Sequence, residues 1–149
     1  MRTTAVPIVD VMSTRLVQAD RDDSVRDASR RMVEAGVGSV AVCEGARLVG
    51  ILTERDVLRL ASEGVDLDGT GVRDAMTRDV VTISPDADIL AAARLMGERQ
   101  IRHLPVVEGE NVLGIVGIRD VLAALAEALW RTHDEAVHET ARSLLSHRP

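Results

Sequence analysis

The chain contains no lysine, no phenylalanine and no tyrosine, and Trp130 is its single aromatic residue. Absence of lysine removes the Schiff-base amine, the P-loop lysine and the kinase-type phosphate clamp, and with them those enzyme classes. Absence of aromatics leaves Val, Leu, Ile, Ala and Met to fill the core, and so many β-branched residues point to strands as well as helices. The one cysteine, Cys43, has no partner for an intramolecular disulfide and lies in an apolar run, where it reads as a small buried hydrophobe. No apolar stretch approaches the roughly 18 residues of a membrane span. Met1 is not followed by a basic segment and an apolar core, so no secretory leader is expected and the setting is read as cytoplasmic.

The formal net charge is -6, with no basic stretch and no interleaved aromatics to track a phosphate backbone, so nucleic acid is not an expected partner. A length of 149 residues with 46% apolar content allows one compact domain or two small units sharing a core.

What the chain does have is a repeat. "GILTERDVL", Gly50 to Leu58, returns as "GIVGIRDVL", Gly114 to Leu122. A shift of 64 residues aligns Asp10–Leu58 with Asp74–Leu122 without a gap, and 17 of the 49 pairs are identical, which makes two copies of one supersecondary unit the simplest reading. Met12, Met32, Met76 and Met96 recur in register and read as core.

Each copy predicts β-α-β-β-α. Leu16–Ala19 and Val80–Ile83 are short strand-type runs. In the first helix Val25, Ala28, Met32 and Val33 share a face, with Asp22 or Ser24 as N-cap and Gly36 as the stop. Its counterpart places Ile89, Ala92, Ala93 and Met96 on one face after a Ser-Pro-Asp start. "SVAVCEGARLVGILT" and "HLPVVEGENVLGIVG" read as hairpins, followed by helices opening at Glu54 and Ile118. The fold class expected is α+β. The first unit spans 8–62, a polar linker 63–71, the second unit 72–125 and a helical extension 126–149.

That last helix runs without Pro or Gly to about Ser146, with Leu122, Leu125, Leu129, Val137, Ala141 and Leu144 near helical spacing. Such a stripe covers either its own sheet or a second chain.

Chemistry concentrates in the repeated phrase. Thr53 falls between a strand and the first turn of a helix, where free N–H groups favour phosphate. There its hydroxyl suits a phosphate oxygen, the Asp56 carboxylate suits the vicinal hydroxyls of a ribose, and Arg55 and Arg119 offer charge for further phosphates. The same Thr-x-x-Asp spacing also describes a capping box, and Gly117 is an acceptable N-cap, so spacing alone leaves both readings open. No Ser-His-Asp set is present, and His133, Asp134 and His138 lack a third spaced ligand, so neither catalysis nor a metal site is expected.

Taken together, "VRDAMTRDVVTISPDADILAAARLM", "IRHLPVVEGENVLGIV" and the twice-written G-I-x-x-x-R-D-V-L resemble a tandem pair of cystathionine-β-synthase (CBS) domains, over residues from about 8 to 125. The resemblance implies two units packed through their sheets about a pseudo-twofold axis into a Bateman module with two clefts, two such modules commonly forming a disc-like homodimer. It implies binding of AMP, ADP, ATP or S-adenosylmethionine, with Thr53 at phosphate and Asp56 at ribose. Asp120 maps onto the same role, whereas Gly117 brings no hydroxyl. The family's adenine contacts map onto Thr82, Ile83, Arg102, His103, Leu104 and Pro105 in the second copy. In the first copy they map onto Gln18, Ala19, Gly38, Ser39, Val40 and Ala41, without the proline or the basic pair, so each cleft is expected to lack something. The expected function is a stand-alone sensor signalling to an enzyme or transporter in trans. The alternative is a ligand-free dimerisation module with vestigial clefts.

Overall fold

The computed structural model describes residues 5–146, with side chains through Glu139. Helix α1 (Val25–Ala35) starts where the Ser24 hydroxyl accepts the Asp27 N–H, which settles the cap on Ser24, and it buries Val25, Ala28 and Met32. It ends at Gly36, whose φ of 66° is the left-handed value a glycine tolerates. Helix α4 (Ile89–Arg99) repeats the pattern with Asp88 as cap and Ile89, Ala92 and Met96 inward. It ends on Gln100 at φ 54°, a left-handed residue that carries a Cβ.

Strands β2 (Ser39–Glu44) and β3 (Arg47–Thr53) form one hairpin, and β4 (His103–Glu108) and β5 (Asn111–Gly117) the other. Each has a register shift at the same repeat position, Val42/Cys43 and Val106/Val107. The hairpins lead into α2 (Glu54–Ser62) and α5 (Ile118–Ser146). With β1 (Gln18–Ala19) they make one five-stranded sheet in the order β1-β2-β3-β5-β4.

The join between the halves is the Arg47↔Asn111 pair of β3 and β5. These residues are each other's repeat equivalents, 64 apart, so the pseudo-twofold axis passes between them. The backbone repeats that symmetry by exchanging segments. The 3₁₀ turn Ile8–Asp10 of the first copy lies on the second, with Ile8 N–H bonded to Ala87 O at 2.7 Å. Its equivalent, the short helix α3 (Val72–Ala75), lies on the first, with Val72 N–H bonded to Asp23 O at 2.8 Å. Ser13 bridges Ile115 and, symmetrically, Thr77 bridges Ile51.

Each hydrophobic core is therefore built from both copies. One holds Val25, Val40, Leu52 and Leu60 with Val72 and Ala75; the other holds Ile89, Leu104, Val116 and Val121 with Ile8. The exchange explains the glycine that opens each repeated phrase. A Cβ on Gly50 would lie 2.4 Å from Met76 Sδ, and one on Gly114 would lie 2.5 Å from the Ser13 carbonyl. The methionines serve as expected, Met32 and Met96 buried and Met12 and Met76 partly buried against the cores.

Three local expectations need correction. Val33, expected on the inward face of α1, is exposed. Val80–Ile83 is not a strand: only Ile83 bridges Val106, whereas β1 pairs Gln18 with Ala41 and Ala19 with Val42. The cause is Pro105. In the first copy Ala41 N–H bonds Val17 O at 3.0 Å, and the matching donor in the second copy would be the nitrogen of Pro105, which has no hydrogen. Cys43 is half-buried rather than buried, and partial burial pushes its thiol pKa up.

Segment 63–71 is tied down by Val65 and Leu67 against the first core and by the Arg26–Asp68 ion pair. On α5, Ala124 and Leu125 pack on the second core, whereas Leu122, Leu129, Trp130 and Val137 are exposed. Ala141 and Leu144 lie outside the described side chains.

Candidate functional site: two crosswise clefts

Segment exchange also decides how the clefts are made. A cavity of about 660 Å³ is lined by Thr53, Arg55 and Asp56 of the first copy and by Thr77, Asp79, Val80, Val81 and Gln100–His103 of the second. A cavity of about 750 Å³ is lined by Gly117, Ile118, Arg119 and Asp120 of the second copy and by Ser13, Arg15 and Gly36–Ser39 of the first, with α1 and α2 side chains. The helix N-terminus of one copy thus faces the crossing segment and post-helix strand of the other.

In the Thr53 cleft, α2 begins with a closed capping box. Asp56 Oδ2 accepts the Thr53 N–H and the Thr53 hydroxyl, both at 2.9 Å, and Thr53 Oγ1 accepts the Asp56 N–H at 3.3 Å. Arg55 reaches across the copies to donate to Gln100 O at 3.3 Å. Val81, which lines this cleft, keeps a carbonyl that no described residue hydrogen-bonds, because the Pro105 nitrogen cannot donate to it. In the Gly117 cleft, Asp120 Oδ2 accepts, among the described residues, only the Gly117 N–H, at 2.8 Å, and the Val17 carbonyl is taken by Ala41. His103 borders both clefts. Burial pushes its pKa below the ordinary 6.5, with Glu54 and Asp120 pulling it up and Arg102 pushing it further down.

Of the residues singled out in sequence, Thr53, Arg55, Asp56, Arg102 and His103 converge in one cleft. Gly38, Ser39, Arg119 and Asp120 meet in the other, which Arg102 and His103 also touch. The remainder lie elsewhere. Ala19, Val40, Ala41, Ile83, Leu104 and Pro105 are buried and lie outside both linings. Exposed Gln18 and Thr82 lie outside both linings; the Gln18 carbonyl instead accepts from Arg31.

The lining that sequence missed is Ser13 and Arg15 on one side and Thr77, Asp79, Val80 and Val81 on the other. Ser13 and Arg15 are the repeat equivalents of Thr77 and Asp79, and all six lie one to five residues upstream of the positions expected. The signal that finds them is the exchange of the first segments.

A family model for the CBS domain matches residues 8–63 and again 72–127. The chain belongs to the CBS domain family. It is 37% identical over 131 residues to the mitochondrial CBS domain-containing protein CBSX3 of Arabidopsis thaliana. That match covers 79% of this chain and 64% of the plant protein, so the chain spans less than two thirds of that relative's length.

The fold is similar to the CBS domain protein PAE2072 of Pyrobaculum aerophilum, complexed with AMP, at a TM-score of 0.74 and 23% identity over 82% of this chain and 99% of that one. It is similar also to the CBS domain pair of protein MJ0100, in complex with 5′-methylthioadenosine and S-adenosyl-L-methionine, at 0.76 and 23% over 83% and 98%. At these identities the likeness establishes the fold. Among the described residues no helix is long and apolar enough to cross a membrane, and no group of three or more His, Cys, Asp or Glu is placed to hold a metal ion.

Proposed function

We propose that this CBS pair is a regulatory module that binds an adenosine-containing ligand, AMP, ADP, ATP or S-adenosylmethionine, and that its Thr53 cleft is the phosphate-binding one. The observation that carries this reading is the meeting, in one cavity, of Thr53, Arg55 and Asp56 from one copy with Arg102 and His103 from the other.

The closed capping box supports an exchange of bonds. A ligand phosphate replaces Asp56 as the acceptor of the Thr53 hydroxyl's hydrogen bond, and a ribose hydroxyl donates to Asp56 in its place, while Oδ2 keeps the Thr53 N–H. One internal bond is replaced by two to the ligand, which favours binding without uncapping the helix.

Because each cleft joins both copies, a ligand fixes their relative setting. α5 begins at the Gly117–Ile118 corner, so a change in that setting reaches a long helix with an exposed apolar stripe. We read that stripe as the contact for a homodimer, with the signal passed to an enzyme or transporter in trans by differential affinity for two states. A cytoplasmic setting and the absence of catalysis belong to the same proposal.

Calorimetric titration with the four ligands tests the reading, and no binding by any at millimolar concentration sinks it. One observation favours a second reading, a ligand-free dimerisation module: Thr53 and Asp56 already satisfy each other, and Gly117 has no hydroxyl. A stable dimer whose melting temperature no nucleotide shifts would establish that alternative, since a ligand must stabilise the state it binds.

A further inference from the structure

The two clefts share part of their wall, for Glu54, Leu58, Arg102 and His103 line both cavities. His103 sits at the junction. A Cβ on Gly38 would lie 2.9 Å from its Nε2 and 3.0 Å from Glu54 Oε1, while a Cβ on Gly117 would lie 4.0 Å from its Cδ2 and 3.3 Å from Asp120 Oδ2. The ring is seated between two glycine surfaces, with a carboxylate of α2 beside Nε2 and a carboxylate of α5 on the Cδ2 side. Its repeat counterpart is Ser39, small and buried, so the junction holds one ring and no second.

The imidazole makes no hydrogen bond among the described residues, and burial keeps it below its ordinary pKa against the pull of Glu54 and Asp120. The cations around it are Arg102 beside it in the chain, Arg119 on α5, Arg15 on the first crossing segment and Arg55 on α2.

We propose, resting on the nucleotide reading above, that His103 is a shared partition whose single imidazolium serves whichever cleft holds an anion, so that anionic ligands in the two clefts weaken each other. An anion entering the Thr53 cleft places negative charge in a poorly screened space, and the ring takes up one proton from solvent to meet it. Drawn to that side, the cation is lost to Asp120, and a second anion in the Gly117 cleft meets a less compensated carboxylate. An uncharged ligand such as adenosine makes no demand on the ring, so its two binding steps stay independent. The coupling is thus electrostatic and specific to charge.

The test is calorimetry of AMP and of adenosine on the full chain near pH 7, in two buffers of different ionisation enthalpy, for the parent and for His103→Gln. His103→Asn serves where the longer amide disturbs the fold. AMP binding by the parent should take up protons beyond those that ionise on AMP itself, and adenosine binding should take up none. The variant should lose the excess and bring the two AMP steps closer by roughly tenfold, the size of one charge-assisted contact. If AMP fills a single cleft, the excess uptake alone decides. Equal proton uptake in parent and variant overturns the partition while leaving the nucleotide reading intact; no AMP binding by the parent removes both.

Discussion

The two clefts are related by the repeat but are not equally equipped. The Thr53 cleft has a hydroxyl, a carboxylate, Arg55, Arg102, His103 and a Val81 carbonyl that no described residue hydrogen-bonds. Its twin shares Arg102 and His103 along the common wall, but has Gly117 in place of the hydroxyl, Gly38 and Ser39 at the repeat equivalents of that basic pair, and a Val17 carbonyl already bonded to Ala41. Counted copy by copy, each half of the chain has one defect. Counted by cleft, all the defects fall together, because the helix start of one copy faces the crossing segment of the other. A site built from two repeats has to be scored across them.

The largest expected effect separates the clefts directly. Asp56→Ala should lower AMP affinity by about 1.5–3 kcal/mol, the range for hydrogen bonds to charged groups, while Asp120→Ala leaves the tighter binding step nearly unchanged. Calorimetry of the two variants reads this, and equal losses would abolish the distinction between the clefts.

The crossing segments that create the asymmetry predict the next effect. Gly114→Ala pushes a methyl onto the Ser13 carbonyl, which is backbone held by two hydrogen bonds to Ile115, whereas Gly50→Ala meets the flexible Met76 side chain first. Both overpack, by about 1–3 kcal/mol in denaturant unfolding, with Gly114→Ala the worse. The reverse order would mean that the first crossing segment yields more readily than the second.

A third pair should show opposite signs at equivalent positions. Gln100 is left-handed with a Cβ, so Gln100→Gly should stabilise by up to about 1 kcal/mol; Gly36→Ala at φ 66° should destabilise by about 1 kcal/mol, though its Cβ meets nothing within 4 Å. Thermal melts of the two variants decide it, and two shifts of the same sign would show that the left-handed caps are not the controlling feature.

Much of the fold was legible because it is local. Ser24 and Gly36 cap as their types demand, α4 takes its cap from Asp88 two residues past the Ser-Pro-Asp start that sequence pointed to, and the hairpins turn at Gly45 and Gly109 with positive φ. The corner residues Thr53, Asp56, Gly117 and Asp120 were also legible, since capping and ligand chemistry ask for the same spacing. What sequence did not reveal is non-local. That Ile8 packs under α4 and Val72 under α1 leaves no trace in either segment's own pattern, and from that exchange follow the true cleft linings at Ser13, Thr77 and Val81. The loss of the Val80–Ile83 strand was legible in principle, for Pro105 announces a missing donor, but only once its partner in the first copy is known to be Ala41.

The smallest effect isolates the wall the clefts share. His103 has its pKa lowered in the folded protein, chiefly by burial, so between its folded value and the ordinary 6.5 the unfolded chain binds more protons than the native one. Its contribution to stability is therefore least favourable in acid and rises as pH climbs through about 6.5, levelling above it. Ser39, the equivalent in the first copy, does not titrate and adds no slope. His103→Gln should flatten this part of the profile when unfolding free energy is followed by urea titration from pH 5 to 8, whereas Ser39→Ala should shift the whole curve without changing its shape. An unchanged slope in His103→Gln would mean that the ring titrates as if in water, and the junction between the clefts would then be open to solvent rather than closed around it.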